Sequence, residues 1–249
     1  MLTLPSIRLS SSKSALLLRG QSLPRTISVV IPTLNEAAGL PDTLARIRHV
    51  PEVCEIIVVD GGSRDGTADL AAKLGCRVLS SEPGRGRQMR VGAAAATGDV
   101  VLLLHADTWV EPGLGRAALN CFHDPAVVGG GFWKVFRGGS LLMRGSRFKC
   151  AVRFLVVRRV LGDQAMFIRR DALERIGGVP DVPLMEEFEL CRALRRIGKL
   201  VLAGSTVSTS ARRFEKLGVW RTYARMWRVT LGYYLGVPPA ELQRIYERK

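Results

Sequence analysis

The sequence predicts an α/β domain in which a mainly parallel central sheet is flanked by helices, and three observations carry that expectation. Short β-branched runs alternate with helical stretches from Ile27 to Leu104. The apolar residues of the first helical stretch recur at spacings of three and four, which places them on one face. At 249 residues and 47% hydrophobic, the chain is long enough to bury the core that such a sheet requires.

Ile27-Ser28-Val29-Val30-Ile31 is stopped by Pro32 and reads as a buried strand. A helix is expected over Asn35 to Val50, with Leu40, Leu44 and Ile47 on its apolar face. Glu55-Ile56-Ile57-Val58-Val59 forms a second strand and Thr67 to Leu74 a second helix. Cys76-Arg77-Val78-Leu79 fits a third strand, Gly86 to Ala96 a third helix, and Val100 to Leu104 a fourth strand. In sheets of this kind ligands sit at the carboxyl ends of the strands, so the residues that follow each run matter most.

After strand one come Pro32-Thr33-Leu34-Asn35-Glu36, after strand two Asp60-Gly61-Gly62-Ser63-Arg64-Asp65-Gly66-Thr67, and after strand four His105-Ala106-Asp107-Thr108. Each has a purely structural reading too: Asn35 as a helix cap, the Asp60 to Thr67 loop as a turn, Asp107 as a strand stop. Their recurrence at successive strand ends points to a shared crevice.

These strings, together with Gly162-Asp163-Gln164-Ala165-Met166-Phe167-Ile168-Arg169-Arg170 and Met185-Glu186-Glu187-Phe188-Glu189-Leu190, resemble the family 2 glycosyltransferases of the GT-A (nucleotide-diphospho-sugar transferase) fold. The resemblance runs from about Ile27 to the region of Arg213. It implies an inverting transfer of a sugar from a nucleoside-diphosphate sugar, assisted by a divalent metal, Mn2+ or Mg2+. Pro32, Thr33 and Glu36 would border the nucleoside and Asp60 would accept from its base, with Gly61 letting the backbone come close. Arg85 and Arg87 would contact the base or diphosphate, or else remain solvated loop arginines.

In the family two aspartates flanking one residue hold the metal; here Asp107 is the second, Ala106 lies between, and His105 stands where the first is expected. A hard cation bound by carboxylate and phosphate oxygens neutralises the leaving diphosphate, and an imidazole ligand suits manganese better than magnesium. His105 either completes that site or packs beside it. Glu187 matches the catalytic base, a position usually held by aspartate; the acidic cluster with Glu186 and Glu189 also fits the first turn of a helix. Asp163 and Gln164 fall in the acceptor-side segment. Arg212 and Arg213, in Ser208-Thr209-Ser210-Ala211-Arg212-Arg213-Phe214, stand in place of a metal-binding histidine and can clamp a diphosphate with planar forks. That string is similar to a small subgroup of bacterial-type transferases of unknown acceptor.

The formal net charge of +15 makes polyanions expected partners. Residues 1–25 carry Arg8, Lys13, Arg19 and Arg25, no acid and many Ser and Leu, as in an organelle transit peptide or a basic tail. The protein is accordingly expected in the cytoplasm, or in a plastid or mitochondrion if that extension is a targeting signal, with residues 26–249 forming the transferase domain. Within it, about 26–110 would bind the donor and about 111–249 the acceptor. The longest apolar stretch, Val100 to Leu104, is far short of the roughly 20 residues of a membrane span. The five scattered cysteines form no CxxC pair, so neither a disulfide framework nor a zinc site is indicated.

Met143 to Leu161 alternates basic and apolar residues, which suits either a helix lying on an anionic membrane, where it would meet a lipid-linked acceptor, or a core helix with snorkelling arginines. The aromatic tail from Val219 to Tyr246 fits an acceptor groove or a packed helix. Two rival functions stay in view. A nucleotidyltransferase would need a glycine-rich basic signature near strand one, which Pro32 to Glu36 lacks. A nucleic-acid-binding protein is suggested by charge alone, without a recognition-module signature, and no nucleic-acid partner is expected.

Overall fold

The computed structural model describes residues 23–138, 150, 154 and 159–247. The basic extension up to residue 22 and most of the stretch Met143 to Leu161 lie outside the described residues, as does the side chain of Arg213.

The first half follows the expected alternation: β1 (Ile27–Thr33), α1 (Leu40–Ile47), β2 (Val53–Asp60), α2 (Thr67–Lys73), β3 (Arg77–Ser80), α3 (Arg85–Ala95) and β4 (Val100–Leu103). β5 (Thr108–Trp109), α4 (Leu114–Asn120) and the long β6 (Val127–Arg137) follow. After a short 3-10 turn at Gly162–Gln164 come β7 (Met166–Arg169), α5 (Arg170–Arg175), α6 (Glu186–Leu194) and β8 (Lys199–Ser210). The chain closes on α7 (Arg212–Leu217), α8 (Val219–Tyr234) and α9 (Pro239–Glu247).

The described strands form one eight-stranded sheet in the order β3-β2-β1-β4-β7-β6-β8-β5. β1 to β4 are mutually parallel, β7 runs antiparallel to both β4 and β6, and β6 pairs parallel with β8. Strand β1 shows why both faces are covered. Ile27, Val29 and Ile31 enter one core cluster, with Leu40, Leu44 and Ile47 of α1, while Val30 enters the other, with Met89 of α3. A strand buried on both sides is apolar at nearly every position, which is the near-continuous run visible in the sequence; the buried Ser28 donates to Glu55 Oε1 (2.6 Å).

One boundary departs from expectation. The first helix starts at Leu40 rather than at Asn35, and Pro41 occupies its first turn, where a missing N–H costs nothing. Asn35 is instead held at φ +55, in the left-handed region that asparagine tolerates. From there its side-chain oxygen accepts from the Arg64 N–H (2.9 Å) while its own N–H donates to Ser63 Oγ (2.8 Å). Residues 33–37 are thus committed to the loop after β2, with Glu36 N donating to Thr67 Oγ1 (2.9 Å) and Ala37 N to Asp65 Oδ2 (3.0 Å).

Candidate active site

The carboxyl ends of β1 and β4 open into a cleft of about 550 Å³. Pro32, Thr33 and Glu36 from the β1 end and His105, Ala106 and Asp107 from the β4 end line it, together with Arg85 at the start of α3. A second cleft of about 250 Å³ shares Arg85, His105 and Asp107 with the first and continues past Gly162, Asp163 and Glu187 to α8. The two clefts meet at His105 and Asp107.

At the junction the local geometry is tight. His105 Nε2 lies 3.8 Å from Glu187 Oε1, and neither atom has a hydrogen-bond partner among the described residues. Burial, with the Arg85 guanidinium nearby, pushes the His105 imidazole down to about 4, so the ring is neutral near pH 7 and one of its two nitrogens carries a lone pair. Arg85 Nη2 sits 3.2 Å from Glu187 Oε1, and its Nε donates to Glu186. Burial works against this charged guanidinium, but Glu187 and Glu186 outweigh it and raise its pKa. Glu186 is almost fully buried and faces the larger cleft, whereas Glu187 faces the smaller one. Burial, only partly offset by Arg85, raises the carboxyl pKa of Glu186.

Asp107 is half-buried and its carboxylate meets Arg212 Nη2 at 3.2 Å. The same nitrogen reaches both oxygens of Glu36, at 3.2 and 3.1 Å, so Arg212 bridges the β1 and β4 loops across the mouth of the cleft. Arg137 fixes the main chain there by donating to the Asp107 carbonyl (2.7 Å), with its guanidinium 3.6 Å over the Trp109 ring.

Asp60, Arg87 and Gln164 sit differently from the sequence expectation. Asp60 is buried under its own loop, accepting from the Gly62 and Ser63 N–H groups (3.0 and 2.8 Å) and from the Thr33 and Ser63 hydroxyls (3.2 and 2.5 Å). Burial opposes its charge, but these donors prevail and hold the carboxyl below the usual carboxylate range. All four lone-pair directions are therefore spent on the loop and Thr33, and Asp60 reaches a base only if one of these donors turns away. Arg87 points outward to Glu82 and Asp181 and lines neither cleft. Gln164 is fully buried, its amide donating to the Phe132 carbonyl (3.1 Å) and accepting from the Leu161 N–H (3.1 Å), so it shapes the turn that presents Asp163 rather than touching an acceptor. Asp163 does line the smaller cleft and pairs with Lys134 of β6.

Gln88 and Gly162 were missed from the sequence. Gln88, on α3, is nearly fully buried and donates through Nε2 to the carbonyls of Thr33 (2.7 Å) and Val59 (2.8 Å), tying the ends of β1 and β2 together. A side chain at Gly61 would crowd it, since an added Cβ lies 3.0 Å from Gln88 Nε2. Gln88→Leu is expected to lower stability by about 1–2 kcal/mol, read from the urea midpoint at unchanged m-value. Gly162 separates the two junction groups: a Cβ there would lie 2.1 Å from Glu187 Oε1 and 2.6 Å from His105 Nε2. A polar residue on an otherwise apolar helix face was the available signal for Gln88; Gly162 had none, because its neighbours come from distant parts of the chain.

A mainly parallel sheet with a two-compartment crevice at its strand ends and an acidic helix start beside it defines the GT-A class of transferase folds. The profile of glycosyl transferase family 2 matches residues 28–177, and the chain belongs to that family. A PGL/p-HBAD biosynthesis glycosyltransferase of Mycobacterium tuberculosis is 33% identical over 167 residues, covering 60% of this chain and 61% of that one. The chain thus spans less than two thirds of the length of this relative. Among solved structures, a mannosyltransferase from Pyrobaculum calidifontis in complex with GDP-Man and Mn2+ superposes with a TM-score of 0.65 at 19% identity, over 87% of this chain and 67% of that one. Glucosyl-3-phosphoglycerate synthase of Mycobacterium tuberculosis, in complex with Mn2+, UDP and glucosyl-3-phosphoglycerate, gives 0.60 at 24% identity, over 95% and 88%. At these identities the structural likeness speaks for the fold.

Proposed function

We propose that the protein is an inverting glycosyltransferase that moves a sugar from a nucleoside-diphosphate sugar in the larger cleft to a hydroxyl acceptor in the smaller one. The observation that carries this reading is the junction itself, where Glu187 lines the acceptor compartment and its Oε1 has no hydrogen-bond partner among the described residues, beside the groups that border the donor. Glu187 takes the acceptor proton as that oxygen attacks the anomeric carbon, and Arg85 holds the carboxylate in place. Pro32, Thr33 and Glu36 border the nucleoside, and Arg212 turns from Glu36 and Asp107 towards the diphosphate. Residues from about 26 to 110 supply the donor half of the site and those from about 111 to 249 the acceptor half.

Asp107 and the neutral His105, whose Nε2 has no hydrogen-bond partner among the described residues, suit a divalent cation that would take its remaining ligands from the diphosphate, and nitrogen among the donors favours Mn2+ over Mg2+. Among the described residues no group of three or more His, Cys, Asp or Glu side chains forms a metal site by itself, so the donor is needed to complete it. When bound, such a cation neutralises charge on the departing diphosphate.

Phe136, Leu161, Phe188, Phe214, Met226 and Val229 wall the acceptor cleft, and this apolar lining favours a lipid-linked acceptor met at a membrane surface. Titration calorimetry with a panel of nucleoside diphosphates and their sugars tests the donor half. Binding of one donor is expected to need Mn2+ in the wild type and to lose that dependence in Asp107→Asn. Equal Mn2+ dependence in both proteins would remove Asp107 from this role.

A further inference from the structure

Helix α8 has two apolar faces, and the clefts account for one of them. Thr222, Met226, Val229 and Thr230 point inward and line the acceptor cleft. On the opposite side Trp220, Trp227, Leu231 and Leu235 stand in solvent, 74, 66, 40 and 73% exposed. Their spacings of seven, four and four align them in a single stripe along the helix and its C-terminal end. Isolated exposed apolar side chains are ordinary, but a continuous stripe with two tryptophans marks a contact surface. Arg221 and Arg228 are both exposed and run along one border of the stripe.

We infer that the outer face of α8 is a docking surface for an anionic phospholipid bilayer, with Trp220 and Trp227 seated at the headgroup level and Arg221 and Arg228 against lipid phosphates. Tryptophan suits that position because its ring is apolar and its N–H is wet. Charge selects the occupant. A second copy of this chain would bring the same +15 to the interface, whereas an anionic leaflet attracts it. Nucleic acid shares the negative charge, but Leu231 and Leu235 offer it no hydrogen-bonding or stacking partner. No helix among the described residues is long and apolar enough to cross a membrane, so α8 would lie in the interface plane. Because the opposite face of α8 lines the acceptor cleft, docking would hold that cleft one helix diameter, roughly 10 Å, from the bilayer surface; this consequence rests on the transferase reading, while the docking itself does not.

Co-sedimentation of the full chain with vesicles of phosphatidylglycerol and phosphatidylcholine, against phosphatidylcholine alone, tests the docking without any sugar substrate. Wild type is expected to sediment with the anionic vesicles, less so at high salt, and Trp220→Ser/Trp227→Ser to bind at least about tenfold more weakly. Unchanged circular dichroism and melting temperature in the variant would separate loss of docking from loss of fold. Three outcomes would overturn the inference: a wild type that ignores anionic vesicles, a double variant that binds like wild type, or a wild-type dimer by light scattering that the substitutions dissociate while vesicles stay unbound.

Discussion

Replacing Glu187 with glutamine is expected to lower kcat by about 10²- to 10⁴-fold while the donor KM stays within a few fold. The amide keeps the size of the side chain and can still meet its surroundings, but it cannot accept the proton of the attacking hydroxyl. Because Glu187 lines the smaller cleft and Glu186 the larger, the neighbouring substitution distinguishes them. Glu186→Gln removes a charge that pairs with Arg85 in a buried setting, so its effect should fall on stability and on donor affinity rather than on the proton transfer. Steady-state kinetics of both variants with one donor and one acceptor would show it. Full activity in Glu187→Gln combined with a collapse in Glu186→Gln would move the base by one residue.

The second large effect is expected at a residue with no functional group. Gly162→Ala places a methyl group 2.1 Å from Glu187 Oε1 and 2.6 Å from His105 Nε2, well inside van der Waals contact, so one of the two must leave the junction. The backbone at Gly162 is not among the positive-φ positions, so alanine meets no conformational penalty and the fold should persist. A displacement on the ångström scale at a reacting group costs about 10²-fold. We expect kcat to fall by at least that factor, with a melting temperature within a few degrees of wild type. Retained kcat in a folded variant would show that the Glu187 and His105 positions seen here are not those used in turnover.

These two residues differ in how they were legible. Glu187 was found because an acidic pair stands at the head of an apolar-periodic segment, in a string that resembles a family motif; residue type and local order were enough. Gly162 stands inside a motif string too but was not singled out, because its purpose depends on two side chains from β4's end and α6, 57 residues upstream and 25 downstream. The same division holds for the aspartates. Asp107 was legible as a polar residue after a strand, and it does face the cleft. Asp60 has the same local signature, yet its loop folds back so that Ser63, Gly62 and Thr33 consume its lone pairs. Arg85 and Arg87, two residues apart, looked alike in the sequence, but on a helix they point in different directions, one to Glu186 and Glu187 and the other to Glu82 and Asp181.

Local chemistry was therefore sufficient for the alternation of strands and helices, the strand-end crevice and the family, since β-branched runs, helical periodicity and short motifs are properties of neighbours along the chain. Tertiary structure alone decided which polar groups face the crevice, that Arg212 spans Glu36 and Asp107, and that α8 turns one face to the smaller cleft and the other to solvent. The reason is physical: a side chain's role depends on which distant groups satisfy its hydrogen bonds and cover its surface, and those partners are brought together only by packing the sheet and its helices.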